Sequence, residues 1–109
     1  MDDEYAEAVL DLVAAIPVGR AMTYGTIAEV VSERFAAAGG HPRGGPRQVG
    51  QLMARAGGEV PWWRVVNASG APPARHAERA LRALAAEGTP LTGDGTRVAL
   101  RQAIWFPDD

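Results

Sequence analysis

Pro46-Arg47-Gln48-Val49-Gly50-Gln51-Leu52-Met53-Ala54-Arg55-Ala56 is the stretch from which the fold is read outward. Proline suits a first helical turn, and Val49, Leu52, Met53 and Ala56 share one side, leaving Arg47, Gln48, Gln51 and Arg55 on the other. Gly57-Gly58 stops this helix. Upstream, Ala36–Gly45 holds four glycines and a proline, which cannot sustain regular structure and predicts a mobile loop. Before the loop, Thr23 is an N-cap candidate for a helix to about Phe35 with Ile27, Val30 and Val31 buried. Earlier still, Tyr5, Val9, Leu12, Val13 and Ile16 recur at helical spacing from Asp3 to Ile16, and Pro17 and Gly19 end that helix.

Downstream, Val60-Pro61-Trp62-Trp63-Arg64-Val65-Val66 predicts an extended segment, and Asn67-Ala68-Ser69-Gly70 a turn. A fourth helix spans about Ala74 to Ala86, with Ala77, Leu81 and Leu84 inward and Arg75, Glu78, Arg79 and Arg82 outward. Gly93-Asp94-Gly95 between Leu91 and Val98-Ala99-Leu100 predicts a hairpin, and Ile104-Trp105-Phe106 a tail that packs back. The expected fold is mainly α: a winged helix-turn-helix-like single domain over residues 1–109 with a small β-hairpin near the C-terminus.

The chain has 109 residues and a net charge of -2, with no cysteine, which excludes disulfides, thiolate metal sites and a cysteine nucleophile. It begins without a basic and then apolar leader, so a reducing, cytoplasmic location is expected, nucleoid-associated if the source is bacterial, with no membrane span. Seven of the thirteen acids (Asp2, Asp3, Glu4, Glu7, Asp11, Asp108, Asp109) lie near the two ends. Residues 12–107 hold eleven arginines against six acids and no lysine, a body charge of +5. A coding bias toward GC-rich codons accounts for that composition as readily as selection for arginine does.

His41 and His76 lack metal-ligand spacing, the Gly39–Gly45 cluster lacks the lysine of a phosphate loop, and Ser32 and Ser69 have no triad context. No cofactor is expected. Three features remain. Gly50 interrupts a helix at a cost of roughly 1 kcal/mol relative to alanine, which calls for close packing or close approach of a ligand. Arg47, in the first turn, can project past the helix end or simply be solvated. Trp62 and Trp63, if extended, point to opposite faces, so one faces the core and the other offers a stacking surface.

Together, Ile16-Pro17-Val18-Gly19-Arg20-Ala21-Met22-Thr23-Tyr24-Gly25-Thr26-Ile27-Ala28, Arg47-Gln48-Val49-Gly50-Gln51-Leu52-Met53 and Val60-Pro61-Trp62-Trp63-Arg64-Val65-Val66 strongly resemble the DNA-binding domain of the O6-alkylguanine-DNA alkyltransferases. The family's active-site motif is Pro-Cys-His-Arg-Val. Trp62 stands at the cysteine position, as in the cysteine-less alkyltransferase-like branch, and this chain goes further, with Trp63 at the position of the activating histidine. The resemblance therefore implies a protein that is not an enzyme: an indole offers no counterpart to the thiolate that accepts the alkyl group. Glu87 matches the acid that supports the family's histidine and survives as a remnant, while Arg64 is read as structural.

The resemblance implies that Tyr24, Arg47, Gln48, Gly50 and Gln51 bind DNA. Tyr24 presses on the phosphate beside the target, Arg47 fills the space of the extruded base, and Gly50 lets the helix lie close in the minor groove. The alkylguanine pocket is expected from Tyr24, Met53, Pro61, Trp62, Val65 and Arg75, with Trp62 stacking and Arg75 over the alkylated ring. The implied function is a DNA damage sensor that flips O6-alkylguanine in duplex DNA and flags it for nucleotide excision repair. Its partners would be lesion-containing duplex DNA and excision-repair proteins, and the protein a monomer. A winged-helix regulator or architectural protein without lesion preference is the alternative; an enzyme with a non-thiol nucleophile ranks third. The loop tip, with His41 and Arg43, either touches the DNA backbone or is disordered.

Overall fold

The computed structural model describes residues 3–107; Asp2, Asp108 and Asp109, counted among the acidic ends, lie outside them. Its elements are α1 (Asp3–Ala15), β1 (Met22–Thr23), α2 (Tyr24–Ala37), α3 (Pro46–Ala56), β2 (Val65–Val66), α4 (Ala77–Ala86) and α5 (Leu100–Ala103), with short 3-10 turns at Gly57–Glu59, Trp62–Arg64 and Ala74–His76. Two compact units emerge: Met1–Ala15 with Tyr24–Trp62, and Ile16–Thr23 with Trp63–Asp109.

The first unit is helical, with α2 packed on both α1 and α3. Its buried side chains follow the predicted stripes: Tyr5, Val9, Leu12 and Val13 on α1, Ile27, Ala28 and Val31 on α2, Val49 and Leu52 on α3. Asp3 and Glu4 sit in the first turn of α1, where they complement the positive end of the helix dipole. Helix α3 keeps its predicted bounds, with Pro46 in its first turn. Three inward assignments change, the first being Val30 on α2, which is half-buried. Met53 is half-buried and Ala56 exposed, because the buried stripe narrows to Val49 and Leu52 as α3 ends against Gly57.

In the second unit β1 and β2 pair in parallel, Met22 opposite Val65 and Thr23 opposite Val66. Thr23 thus closes a strand as it leads into α2. The core joins Ala21, Val66, Leu84, Val98 and Ala103, with Trp63, Leu81, Leu91 and Leu100 packed against it. On α4 the buried pair is Ala80 and Leu84, while Ala77 and Leu81 are half-buried. The predicted turn forms: Asn67 Oδ1 accepts from the Ser69 and Ala71 amides at 2.9 and 3.0 Å. Gly70 follows at φ +89, and a side chain there would run into the Val98 carbonyl.

The hairpin is reduced to one antiparallel bridge, Leu91 to Val98. Asp94 organises its tip by accepting from Thr92 Oγ1 (2.7 Å), Thr96 N (3.1 Å) and Thr96 Oγ1 (2.9 Å). These bonds hold its carboxyl down at about 2. The tail returns only in part. Trp105 N–H donates to Ala21 O at 2.8 Å and the Arg20 guanidinium donates to the Ala103 and Ile104 carbonyls, but Phe106 is 59% exposed.

The segment around the tryptophans departs from the extended prediction. Trp62–Arg64 is a 3-10 turn, and only Val65–Val66 is a strand. Pro61 pre-sets a bent backbone and Trp62 N–H reaches back to Val60 O at 2.6 Å. At about three residues per turn, adjacent side chains diverge without facing oppositely. Trp63 is the one packed against the second unit's core, and Trp62 is half-buried.

Candidate nucleic-acid interface

Helix α3 presents Arg47, Gln48, Gln51 and Arg55 as an exposed polar row while Val49 and Leu52 anchor its other side. That division follows from the sequence's 3.6-residue period. Gly45, the residue before the helix, is extended and supplies no side-chain cap, and no acid occupies the first turn. The helix therefore starts with uncapped amides beside a guanidinium, an arrangement that favours an anion. At Gly50 a Cβ would meet nothing within 4 Å. Packing within the chain therefore does not call for glycine there.

Tyr24 opens α2 and is half-buried. Burial pushes its phenol up, so it stays neutral and keeps its O–H donor at physiological pH. Met53 lies over Gly57, where an added Cβ would come within 2.9 Å of the Met53 methyl. Pro61 and Trp62 are half-buried. These four belong to the first unit, and the remaining two residues assigned to the base belong to the second. There Val65 is 1% exposed in β2, and Arg75 is exposed in the 3-10 turn before α4. A groove of about 360 Å³ in the first unit has a different lining, from Gly25, Glu29, Ser32 and Glu33 on α2 to Gly44–Pro46.

Arg64 behaves as the structural residue it was read to be. Its Nε and Nη2 donate to the two carboxylate oxygens of Glu87 at 2.9 and 2.5 Å, and its Nη1 donates to the Ile16 carbonyl at 2.8 Å. Both side chains are largely buried, at 11% and 16% exposed. The Arg64 guanidinium holds the Glu87 carboxyl below its ordinary 4.5, aided by the Trp63 indole N–H and the Gly19 backbone, against the opposing effect of burial. Glu87 is therefore no idle remnant. Its role could not be read from sequence, because its partner lies 23 residues away.

Arg43 is the residue that sequence reasoning left unplaced. Its Nη2 donates to Glu4 Oε1 at 2.9 Å and its guanidinium lies 4.1 Å from the Phe35 ring centre. The loop's second half is thus anchored within the first unit. Among the described residues no group of three or more His, Asp or Glu is placed to hold a metal ion, and no helix is long and apolar enough to cross a membrane.

Comparison with known proteins gives this geometry a family. Residues 4–89 match the family model "6-O-methylguanine DNA methyltransferase, DNA binding domain". A DNA base-flipping protein of Escherichia coli is 35% identical over 108 residues, covering 95% of this chain and 76% of the relative. Alkyltransferase-like protein 1 of Schizosaccharomyces pombe is 43% identical over 70 residues, 62% of this chain and 56% of the relative. The crystal structure of S. pombe Atl1 in complex with damaged DNA containing O6-carboxymethylguanine superposes with a TM-score of 0.75 at 34% identity, covering 98% of this chain and 99% of that one. With a helix bearing an exposed arginine, a space-leaving glycine and no cysteine anywhere, the chain belongs to the DNA-binding-domain family of the 6-O-methylguanine DNA methyltransferases, as an alkyltransferase-like member.

Proposed function

We propose that this protein binds duplex DNA at O6-alkylguanine, rotates the base out of the stack, holds it without accepting the alkyl group, and marks the site for nucleotide excision repair. The observation that carries this is the outer face of α3, where Arg47 stands exposed in the first turn and Gly50 has open space above it. Extrusion costs a few kcal/mol of lost stacking, and a guanidinium that fills the gap offsets part of it. The open space at Gly50 suits a backbone laid close in a minor groove. Tyr24, neutral and at the start of α2, is assigned to the phosphate beside the target. Trp62 offers a ring face to the base, a contact worth about 1–3 kcal/mol, and Arg75 a cation for the alkylated ring. The relatives' names, base flipping for one and alkyltransferase-like for another, support the same reading.

The deciding experiment compares affinity for duplexes with and without one O6-methylguanine at matched salt, with a fluorescent base analogue reporting extrusion. Tighter binding to the lesion is expected; equal affinities would sink the sensor and leave a plain DNA binder. Labelled alkyl groups should remain on the DNA, since the chain has no cysteine to receive them. Coupling to excision repair is tested by asking whether purified excision proteins cut the lesion duplex faster in the presence of this protein.

A further inference from the structure

We propose that Arg43 is a positioning residue for Arg47: with Glu4 and Phe35 it clasps the glycine-rich loop onto α1 and α2 and so sets where α3 begins. This rests on the assignment of Arg47 to DNA above. Residues 38–45 include four glycines, the residue type that loses most freedom on ordering. A stretch of this kind holds one path only if specific contacts compensate. Four such contacts meet here. Gly40 N–H caps the end of α2 on the Phe35 carbonyl at 2.8 Å. The Phe35 ring stacks with Tyr5, centroids 6.2 Å apart and planes 27° from parallel. Arg43 covers the Phe35 ring and bonds Glu4.

Gly44 then adopts φ +85 directly against the Tyr5 ring, where any side chain would collide. The next residues are Gly45, whose carbonyl receives Val49 N–H at 3.1 Å, and Pro46, the start of α3. Only three residues separate the clasp from Arg47. The chain between them is bent at a left-handed glycine and stiffened by proline, so displacement of Arg43 is transmitted to the helix start. The guanidinium of Arg43 is thus engaged by Glu4 and Phe35 at the surface of the first unit, and its influence on DNA runs through the loop.

The clasp and a direct phosphate contact predict opposite signs for Glu4. Full-length Glu4→Gln, Arg43→Ala, the double variant and the swap Glu4→Arg/Arg43→Glu are titrated with an O6-methylguanine duplex across a salt series, and exchange of the hydrogen-bonded amides from Val49 to Met53 is followed in the free proteins. If Arg43 positions α3, Glu4→Gln and Arg43→Ala each weaken binding roughly three- to tenfold, as expected for an exposed ion pair plus a cation–π contact. The salt slope stays as in wild type, exchange quickens, the double variant is no worse than Arg43→Ala, and the swap restores only the part of the loss owed to the ion pair, since a carboxylate at 43 cannot replace the contact with the Phe35 ring. The proposal is overturned if Arg43→Ala lowers the salt slope by about 0.9 while Glu4→Gln leaves affinity unchanged or tighter, the mark of a direct phosphate contact. It is equally overturned if exchange at α3 does not respond. Absence of lesion preference in the wild type would instead defeat the functional assignment, with the exchange data still deciding the clasp.

Discussion

The outer face of α3 and the Trp62–Val66 segment carry the same residue type to opposite ends. Arg47 projects from the first turn of a helix into solvent, with Gln48 and Gln51 beside it. Arg64 is largely buried and spends both ends of its fork on Glu87 and a further nitrogen on the Ile16 carbonyl. One guanidinium is available to a ligand; the other cannot leave without stranding a buried carboxylate.

The contrast is best broken at Arg64. Arg64→Ala should cost about 3 kcal/mol of stability, because removing one partner of a buried pair leaves the other's desolvation uncompensated. A fall in Tm of more than about 10 °C in a calorimetric scan would register it. A stability loss no larger than that of an ordinary surface substitution would show the pair to be ornamental. The same pair predicts a pH dependence. Glu87 titrates below its ordinary 4.5 when folded, so its contribution is complete above 4.5 and disappears as pH falls through the lower folded value. Urea unfolding of Glu87→Gln should lack that acid-limb loss.

Arg47→Ala sharpens the opposite side. Stability should stay within about 0.5 kcal/mol of wild type, while lesion affinity drops by roughly ten- to a hundredfold and base extrusion diminishes. Gly50→Ala separates fold from function within a single helix. The added methyl meets nothing and removes glycine's backbone entropy, so thermal stability should rise by about 0.5–1 kcal/mol. DNA affinity should fall at the same time; improvement in both would discard the close-approach role. The smallest effect is expected at Asp94→Ala, where faster exchange of the Thr96 amide should appear without any change in DNA binding. In wild type that protection should persist under acid until pH approaches about 2, since Asp94 stays ionised to that point.

Periodicity is why so much of the helical framework is legible before any coordinates. Val49 and Leu52 on α3, or Val9, Leu12 and Val13 on α1, have to share a face at 3.6 residues per turn, and they are buried as read. The errors cluster where local preference was weak. Trp62 and Trp63 have strand-like composition, yet Pro61 and the bond from Trp62 N–H to Val60 O curl them into a 3-10 turn. Thr23 directly precedes α2 as a cap would, but its pairing with Val66 joins residues far apart in the chain and could not be read locally. Leu100–Ala103 is too short for a periodic signal, and its helical turn was missed.

By itself the sequence determined the four longer helices, the arginine-only basic body and the lack of any thiol, because these depend on residue identity and near-neighbour spacing. Only the tertiary structure decided which groups Arg64 and Arg43 engage. A guanidinium's role is set by the acid, ring or carbonyl that reaches it, and here those partners come from 23 residues away for Arg64 and 39 for Arg43. Arg47 is left outward by the same folding that turns Arg64 inward, since a helix's exposed face is whatever its buried stripe does not claim.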